Sequence, residues 1–495
     1  MSKKLSTQEA ITEAKRCLNC LKPACSKGCP IENNIPHFIR FLAEGNIGSA
    51  YEVIAEKSNL PAVCGRVCPH EKQCEAHCIL AKKNKAINIG SLEMFIADFA
   101  ENNNLSPLPA SNGSRGKIAV VGSGPAGLTI AADMAKMDFA VTIYEAQAEP
   151  GGVLLFGIPQ FRLDKNVVRR EIQKTQKLGV DIKTNCVIGT DVTIDELFTK
   201  GYDAVFIGSG TALPKTLNLP GKDLHGIITA TYFLKTVTLA NNGYLDKSEI
   251  VMKENDQIIV IGAGNVAMDA ARTAIRQGAR SVKVVYHKTQ AEMTALNVEY
   301  QGAVEDGIEF CFLNSPLAFE GSDKVTGLLV EKISKNEAGE FINTGEKEII
   351  PADVVILAVG QKPANRIVST CPQIEIDKWG FVITRERPYG MTTYPGVFAG
   401  GDVVHGPATV VLAMKEAKKI ALGVWIIRDL KKDARFVMYP MAFMLLTTIV
   451  ALIQLVVNNL NKPIVAGLSA LLLVLAIMLC KEAWTALKCE KSELD

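Results

Sequence analysis

Eight of the thirteen cysteines in this chain of 495 residues fall before residue 79. They form two runs, Cys17, Cys20, Cys25, Cys29 and then Cys64, Cys68, Cys74, Cys78, and each run carries a Cys-Pro step, Cys29-Pro30 and Cys68-Pro69. Eight thiolates are what two cubane iron–sulfur clusters need, and a segment that must wrap two clusters has few ways left to fold. The first run is spaced C-x2-C-x4-C-x3-C-P and the second C-x3-C-x5-C-x3-C. Ferredoxin-type runs place three cysteines on one cubane and send the fourth, before proline, to the other. On that pattern Cys17, Cys20 and Cys25 grip one cluster and Cys29 crosses to the second. The flanking segments read as helices, Thr7 to Arg16 before the run and Ile35 to Glu44 after it, the latter with Ile35, Phe38, Ile39 and Leu42 at helical spacing. Structural zinc is the competing use of such cysteines, but zinc sites usually offer two short C-x2-C pairs, and here only Cys17 and Cys20 form one.

Charge is nearly balanced, 54 basic against 52 acidic residues, which argues against nucleic acid as a partner. The start, Met1-Ser2-Lys3-Lys4, has no apolar segment of a signal peptide. Dense cysteine in a cytoplasmic chain argues for metal ligation over disulfides. Cys186, Cys311, Cys371, Cys480 and Cys489 are scattered and read as ordinary small apolar residues.

Composition shifts near residue 436. Phe436 to Val457 carries no charge, nor does Ile464 to Cys480, and Asn458 to Pro463 between them reads as a turn. Arg428, Lys431, Lys432 and Arg435 precede the pair, Lys481 and Lys488 follow it, and the turn holds only Lys462. These features predict a two-helix transmembrane hairpin over 436–480 with a cytoplasmic tail, 481–495, so that the catalytic domains lie at the cytoplasmic face of the cell membrane. A buried helical hairpin packed on the globular part is the alternative.

After a polar linker, Lys117-Ile-Ala-Val-Val121 leads into Gly122-x-Gly124-x-x-Gly127, a helix to Lys136, and a strand Ala140 to Tyr144 that ends on Glu145. Strand, glycine turn, helix and an acid about 20 residues on make the dinucleotide fingerprint, in which glycines admit a pyrophosphate at a helix N-terminus. Glu145 can accept ribose hydroxyls and would repel a 2′-phosphate, so this fold should hold FAD or NAD. The pattern recurs at Gln257 to Ile261, Gly262-x-Gly264-x-x-Ala267, a helix to Gln277 and a strand Val282 to Tyr286, which now ends on the basic pair His287-Lys288. A basic pair suits a 2′-phosphate, which predicts NADPH there. Val397-Phe-Ala-Gly400-Gly401-Asp402 and a helix starting near Thr409 would return the chain to the first fold, making the second an insertion.

Taken together, Cys64-Gly-Arg-Val-Cys68-Pro, Gly122-Ser-Gly-Pro-Ala-Gly127, Gly157-Ile-Pro-Gln-Phe-Arg-Leu163, Asn265-Val-Ala-Met-Asp-Ala-Ala-Arg272 and Ala399-Gly-Gly-Asp402 resemble the small subunit of NADPH-dependent glutamate synthase and the electron-input part of dihydropyrimidine dehydrogenase. The resemblance spans roughly residues 8 to 428. It implies hydride transfer from NADPH to FAD, then single-electron exit through two 4Fe-4S clusters to a protein partner bearing the substrate site. It also implies one cluster on Cys17, Cys20, Cys25 and Cys78, and the other on Cys29, Cys68, Cys74 and a non-cysteine ligand, for which Ile89-Gly-Ser-Leu-Glu93 supplies Glu93. The plain reading of eight cysteine ligands includes Cys64 instead. In family terms Gly151, Gly152, Asp402 and Thr409 line the FAD. His287-Lys288 departs from the family's Arg-Arg, and lysine lacks the planar fork of arginine, so NADH stays open as an alternative to NADPH.

The expected fold class is therefore α/β. Residues 1–113 form a helical two-cluster domain, 114–215 and 361–430 an FAD-binding Rossmann-like domain, and 216–360 a nested NAD(P)H-binding domain, followed by the membrane hairpin. No cysteine pair is placed for disulfide reduction. The six histidines, His70 among them, read as structural or solvated, with only His77 considered as tuning a cluster. Besides electron input to a glutamate synthase or pyrimidine enzyme, two further readings stand: a membrane-tethered dehydrogenase feeding a quinone, and a redox sensor.

Overall fold

The structure, a computed structural model, describes residues 3–105, 110–336, 339–364 and 366–425. Its N-terminal part is helical. Ser6 and Glu9 cap the first helix, Thr7–Ala14, reciprocally: the Ser6 amide donates to Glu9 Oε2 at 2.8 Å and the Glu9 amide to Ser6 Oγ at 3.3 Å. The helix Ile35–Ala43 buries Ile35, Phe38, Ile39 and Leu42, the stripe its periodicity predicts, against Ala10, Ala14, Tyr51, Ile54, Leu92 and Ile96. Helix Pro61–Val67 lies against the long helix Ile89–Asn102, and the contact depends on Gly65: a Cβ there would sit 2.5 Å from the backbone nitrogen of Met94.

Two parallel five-stranded sheets follow. The first runs in the order Val397–Ala399, Ala204–Ile207, Lys117–Val121, Ala140–Tyr144, Asp181–Lys183. Its central strands are buried on both faces, hence their unbroken apolar runs. The second runs Ile227–Thr229, Val354–Leu357, Gln257–Ile261, Ser281–Tyr286, Glu309–Phe312. The chain passes between the sheets through a two-stranded antiparallel ribbon, Leu213–Pro214 with Gln361–Lys362. Because Val397–Ala399 pairs with Ala204–Ile207, the second sheet is inserted within the first fold. An antiparallel sheet of Asn314–Gly321, Val325–Lys335 and Phe341–Pro351 completes the inserted unit. Nothing in the sequence reading anticipated it, because its last strand is exposed and polar along most of its length.

The expected fold class needs one correction. Among the described residues no helix is long and apolar enough to cross a membrane, and the predicted hairpin, 436–480, lies outside the described residues. An uncharged run shows that a segment tolerates dehydration; a span requires a continuous helix of about 20 apolar residues. Among the described residues the architecture is α/β, with an N-terminal helical cysteine domain and two nested dinucleotide folds.

Candidate functional site

The eight N-terminal cysteines separate into two groups in space. Cys17, Cys20, Cys25 and Cys78 lie within electrostatic reach of one another: burial pushes the Cys17 and Cys25 thiols up, Cys25 to about 11, and the neighbouring thiols of the group add to the rise. The second group is Cys29, Cys64, Cys68 and Cys74, which with Glu93 wall a single cavity. Burial, and then Glu93, raise Cys29 to about 11 and push Cys74 up further. Cys68 is raised first by its hydrogen bond with Cys64 and then by burial. Glu93, on the helix Ile89–Asn102, is pushed up to about 8 by burial and by Glu171. Thiols and a carboxyl held neutral by burial become ligands when a cation takes up their charge. Two further polar atoms in this cavity wall, Asn33 Oδ1 and His70 Nε2, are buried without a hydrogen-bond partner.

Among the described residues no group of three or more His, Cys, Asp or Glu could hold a metal ion. A cubane gives each ligand its own iron, so its donors stand further apart than those around one zinc. The donor set and the unpaired His70 nitrogen fit an anionic cluster in the cavity. Cys64, in the same wall and hydrogen-bonded to Cys68, also has its Sγ 3.5 Å from Met414 Sδ and 4.0 Å from Ser58 Oγ.

The flavin-fold residues of the sequence reading gather around Ser123. The Ser123 amide donates to Glu145 Oε2 at 3.0 Å, the Gln147 amide to Glu145 Oε1 at 2.8 Å, and the Gly151 amide to Ser123 Oγ at 2.8 Å. Each fingerprint glycine has its own geometry. Gly122, at φ +95°, would place a Cβ 2.7 Å from the Gly208 carbonyl oxygen, and a Cβ on Gly127 would lie 1.9 Å from that of Gly122. Gly124 has nothing within 4 Å on that side, which is the open approach a pyrophosphate needs at the start of helix Pro125–Lys136. Gly152, at φ +53°, packs against Gly124. Gly401 packs on Ala126 and sets Asp402 at the same edge. Burial lifts the Asp402 carboxyl to about 6, with the Ala408 amide donating to it at 3.3 Å. Thr409 begins the next helix, 410–425, which reaches both sites: its Val411 lines the cysteine cavity and its Met414 touches Cys64.

In the inserted fold Gly262, at φ +123°, faces the Ala358 carbonyl oxygen, where a Cβ would be 2.5 Å away. Gly264 opens helix Asn265–Arg276, and Ala267 is fully buried. His287 and Lys288 follow strand Ser281–Tyr286. Burial and then Lys288 push His287 down, so its ring is neutral near pH 7 and Lys288 carries the charge of the pair. The nearby Glu292 is tied to Lys335 at 2.8 Å.

The sequence reading assigned no role to Arg162. Its guanidinium reaches from the flavin fold into the inserted one, 2.8 Å from Asp269 and 2.8 Å from Glu299, all three nearly buried. Glu299 then meets Arg272 at 3.1 Å, and Arg272 meets Asp306 at 2.8 Å. Phe161 lies under Arg272 and Arg276, 4.8 and 4.1 Å from ring centroid to guanidinium carbon. The signal available was a charged residue inside the apolar Gly157–Leu163 motif; its partners, over 100 residues on, could not be read.

Residues 1–105 match the sequence profile of dihydropyrimidine dehydrogenase domain II, 4Fe-4S cluster, and residues 116–417 that of the pyridine nucleotide-disulphide oxidoreductases. The glutamate synthase (NADPH) small chain of Escherichia coli (strain K12) is 36% identical over 435 residues, covering 85% of this chain and 91% of that one. The NAD-dependent dihydropyrimidine dehydrogenase subunit PreT of the same organism is 35% identical over 416 residues, covering 84% and 93%. Mycobacterium tuberculosis FprA, solved in complex with NADPH, shares the fold at a TM-score of 0.53, with 22% identity over 64% of this chain and 86% of that one. Two cysteine groups, two nested dinucleotide folds and this degree of identity lead to one assignment: the chain belongs to the family of the glutamate synthase small chains and PreT, an iron–sulfur domain joined to a pyridine nucleotide-disulphide oxidoreductase unit.

Proposed function

We propose that this chain is an NADPH-oxidising electron-input subunit that passes electrons through FAD and two 4Fe-4S clusters to a separate catalytic subunit. The observation that carries this reading is the serial arrangement of the sites. The group Cys29, Cys68, Cys74, Glu93 shares helix 410–425 with the flavin fold. Of the group Cys17, Cys20, Cys25, Cys78, three pack on the core of the helical domain, and their chain neighbours Leu18, Leu21 and Ile79 are exposed.

A bound flavin would supply the exchange between a two-electron hydride and single electrons. The protein's part is to bind and orient. Gly122, Gly124 and Gly127 admit the FAD pyrophosphate, Glu145 takes its ribose, and Gly151, Gly152, Asp402 and Thr409 border the rest. Gly262, Gly264 and Ala267 do the same for the nicotinamide dinucleotide, with Lys288 and the neutral His287 at its 2′-phosphate. Arg162 fixes the two folds relative to each other. Cys17, Cys20, Cys25 and Cys78 hold one cluster, and Cys29, Cys68, Cys74 and Glu93 the other, in the reducing cytoplasm where thiols persist.

Leu18, Leu21 and Ile79 are 60%, 102% and 55% exposed, and Lys22, Lys27, Lys82 and Lys83, near them in the chain, are exposed too. An apolar centre with a basic rim suits a catalytic subunit whose docking face is apolar with an acidic rim. Supply to a glutamate synthase large subunit is the first reading; the PreT likeness supports a pyrimidine-reducing partner as the second. Anaerobic protein should oxidise NADPH with a dye as acceptor and convert neither glutamine plus 2-oxoglutarate nor a pyrimidine by itself. Turnover of either substrate by the isolated chain would end the proposal. Leu21→Asp should leave dye reduction intact and cut transfer to the partner at least tenfold.

A further inference from the structure

The cavity formed by the second cysteine group has a histidine in its wall. His70 Nε2 is buried there without a partner, and so is Asn33 Oδ1. A buried polar atom left unpaired is costly. Of the two, the imidazole nitrogen can carry a hydrogen and so points to an occupant that accepts, whereas the Asn33 oxygen, itself an acceptor, is not met by such an occupant. The His70 ring is also held in place. Its backbone amide donates to the Cys68 carbonyl at 2.9 Å, which ties it to the Cys-Pro step. The ring lies against Gly90, where a Cβ would be 2.4 Å from Cε1 and 2.6 Å from Nε2. Gly90 stands three residues before Glu93 on the helix Ile89–Asn102, so both share the face turned to the cavity. The imidazole thus sits among the donors as a positioned group.

The outer atoms of a cysteine-ligated cluster are sulfide and thiolate sulfurs, which accept hydrogen bonds and do not donate them. Donation is the interaction open to a ring nitrogen facing them, in competition with the Cys64 backbone carbonyl that the same ring reaches. Resting on the cluster reading above, we propose that His70 donates Nε2–H to a sulfur of the cluster held by Cys29, Cys68, Cys74 and Glu93 and raises that cluster's reduction potential. A hydrogen bond to a cluster sulfur stabilises the more negative, reduced state. In this role His70 is a positioning residue, with no bond to iron.

The test uses the full chain prepared anaerobically as wild type, His70→Leu and His70→Gln, with glutamine keeping an N–H donor. Iron per chain, the midpoint potential of each cluster by redox-titrated electron paramagnetic resonance, and 15N coupling in histidine-labelled protein are measured. The expected result is equal iron in all three, and a potential shifted negative for one cluster in His70→Leu. That potential should recover in His70→Gln, with a weak 15N coupling present only in the wild type. Unchanged potentials in His70→Leu, or no 15N coupling in the wild type, would overturn the proposal. Loss of half the iron in His70→Leu with full iron in Glu93→Ala would make His70 a ligand and overturn it equally. Wild-type protein without iron would instead bring down the cluster reading beneath it.

Discussion

At the scale of single residues, the first fingerprint shows how one amino acid type serves two purposes. Gly127 is required by packing, since its Cβ would lie 1.9 Å from a carbonyl oxygen, whereas Gly124 borders open space. Gly127→Ala should lower the melting temperature of the flavin-free protein, by the roughly 1–3 kcal/mol or more of an overpacked contact. Gly124→Ala should leave that melting temperature unchanged or slightly higher and still lose flavin, because its methyl stands in the pyrophosphate path. Calorimetry and flavin-to-protein absorbance separate the two; equal melting behaviour would contradict the contact geometry. Asp402 makes a prediction in pH. Burial raises its carboxyl from 3.8 in the unfolded chain to about 6 in the folded one. A raised carboxyl adds stability while protonated in both states and loses it as pH rises through the folded value. Flavin-free wild type should therefore lose stability relative to Asp402→Asn between pH 4 and pH 7. A constant difference over that range would show that Asp402 is not buried in this way.

Among the elements, the link between the two dinucleotide folds rests on one helix face. Helix Asn265–Arg276 presents Asp269, Arg272 and Arg276, and Arg162 comes to it from the other fold. Removing one member of a buried ion network leaves an uncompensated charge, a loss of about 3–5 kcal/mol. Arg162→Leu should destabilise by that order in denaturant unfolding and should slow flavin reduction by NADPH, as the nicotinamide fold loses its registration. Arg162→Leu combined with Asp269→Leu and Glu299→Leu should regain most of the stability, since no buried charge is left alone. If the triple variant were as unstable as the single one, the network would not be the cause. The helix pair Pro61–Val67 and Ile89–Asn102 is joined in a different way, by close backbone contact at Gly65, and this contact brings Glu93 to the cavity of Cys29, Cys68 and Cys74.

Across the whole molecule, the two cysteine groups form a sequence of sites, one bordering the flavin fold and one bordering exposed apolar residues. Their order makes a directional prediction. Cys25→Ala should lose half the iron, keep NADPH reduction of the flavin and of the remaining cluster, and abolish delivery to the partner. Cys74→Ala should lose the other half and leave the surviving cluster unreduced on the same timescale. Rapid-freeze electron paramagnetic resonance after mixing with NADPH reads both, and fast reduction of the surviving cluster in Cys74→Ala would reverse the order.

Much of this was legible in the chain itself. Cysteine spacing, the two glycine fingerprints and the acid or base at each strand end are local patterns set by backbone sterics and by the charge of the ligand each would hold. The helical stripe of Ile35, Phe38, Ile39 and Leu42 is equally local. The membrane hairpin expected over 436–480 lies outside the described residues, and no described helix is long and apolar enough to cross a membrane. What only the tertiary structure decided concerns groups that meet across long separations: the siting of Cys64 against Met414, Arg162 between Asp269 and Glu299, and His70 in the cavity wall. A side chain's partner over such distances is chosen by how helices and sheets pack, and that choice leaves no periodic trace along the sequence.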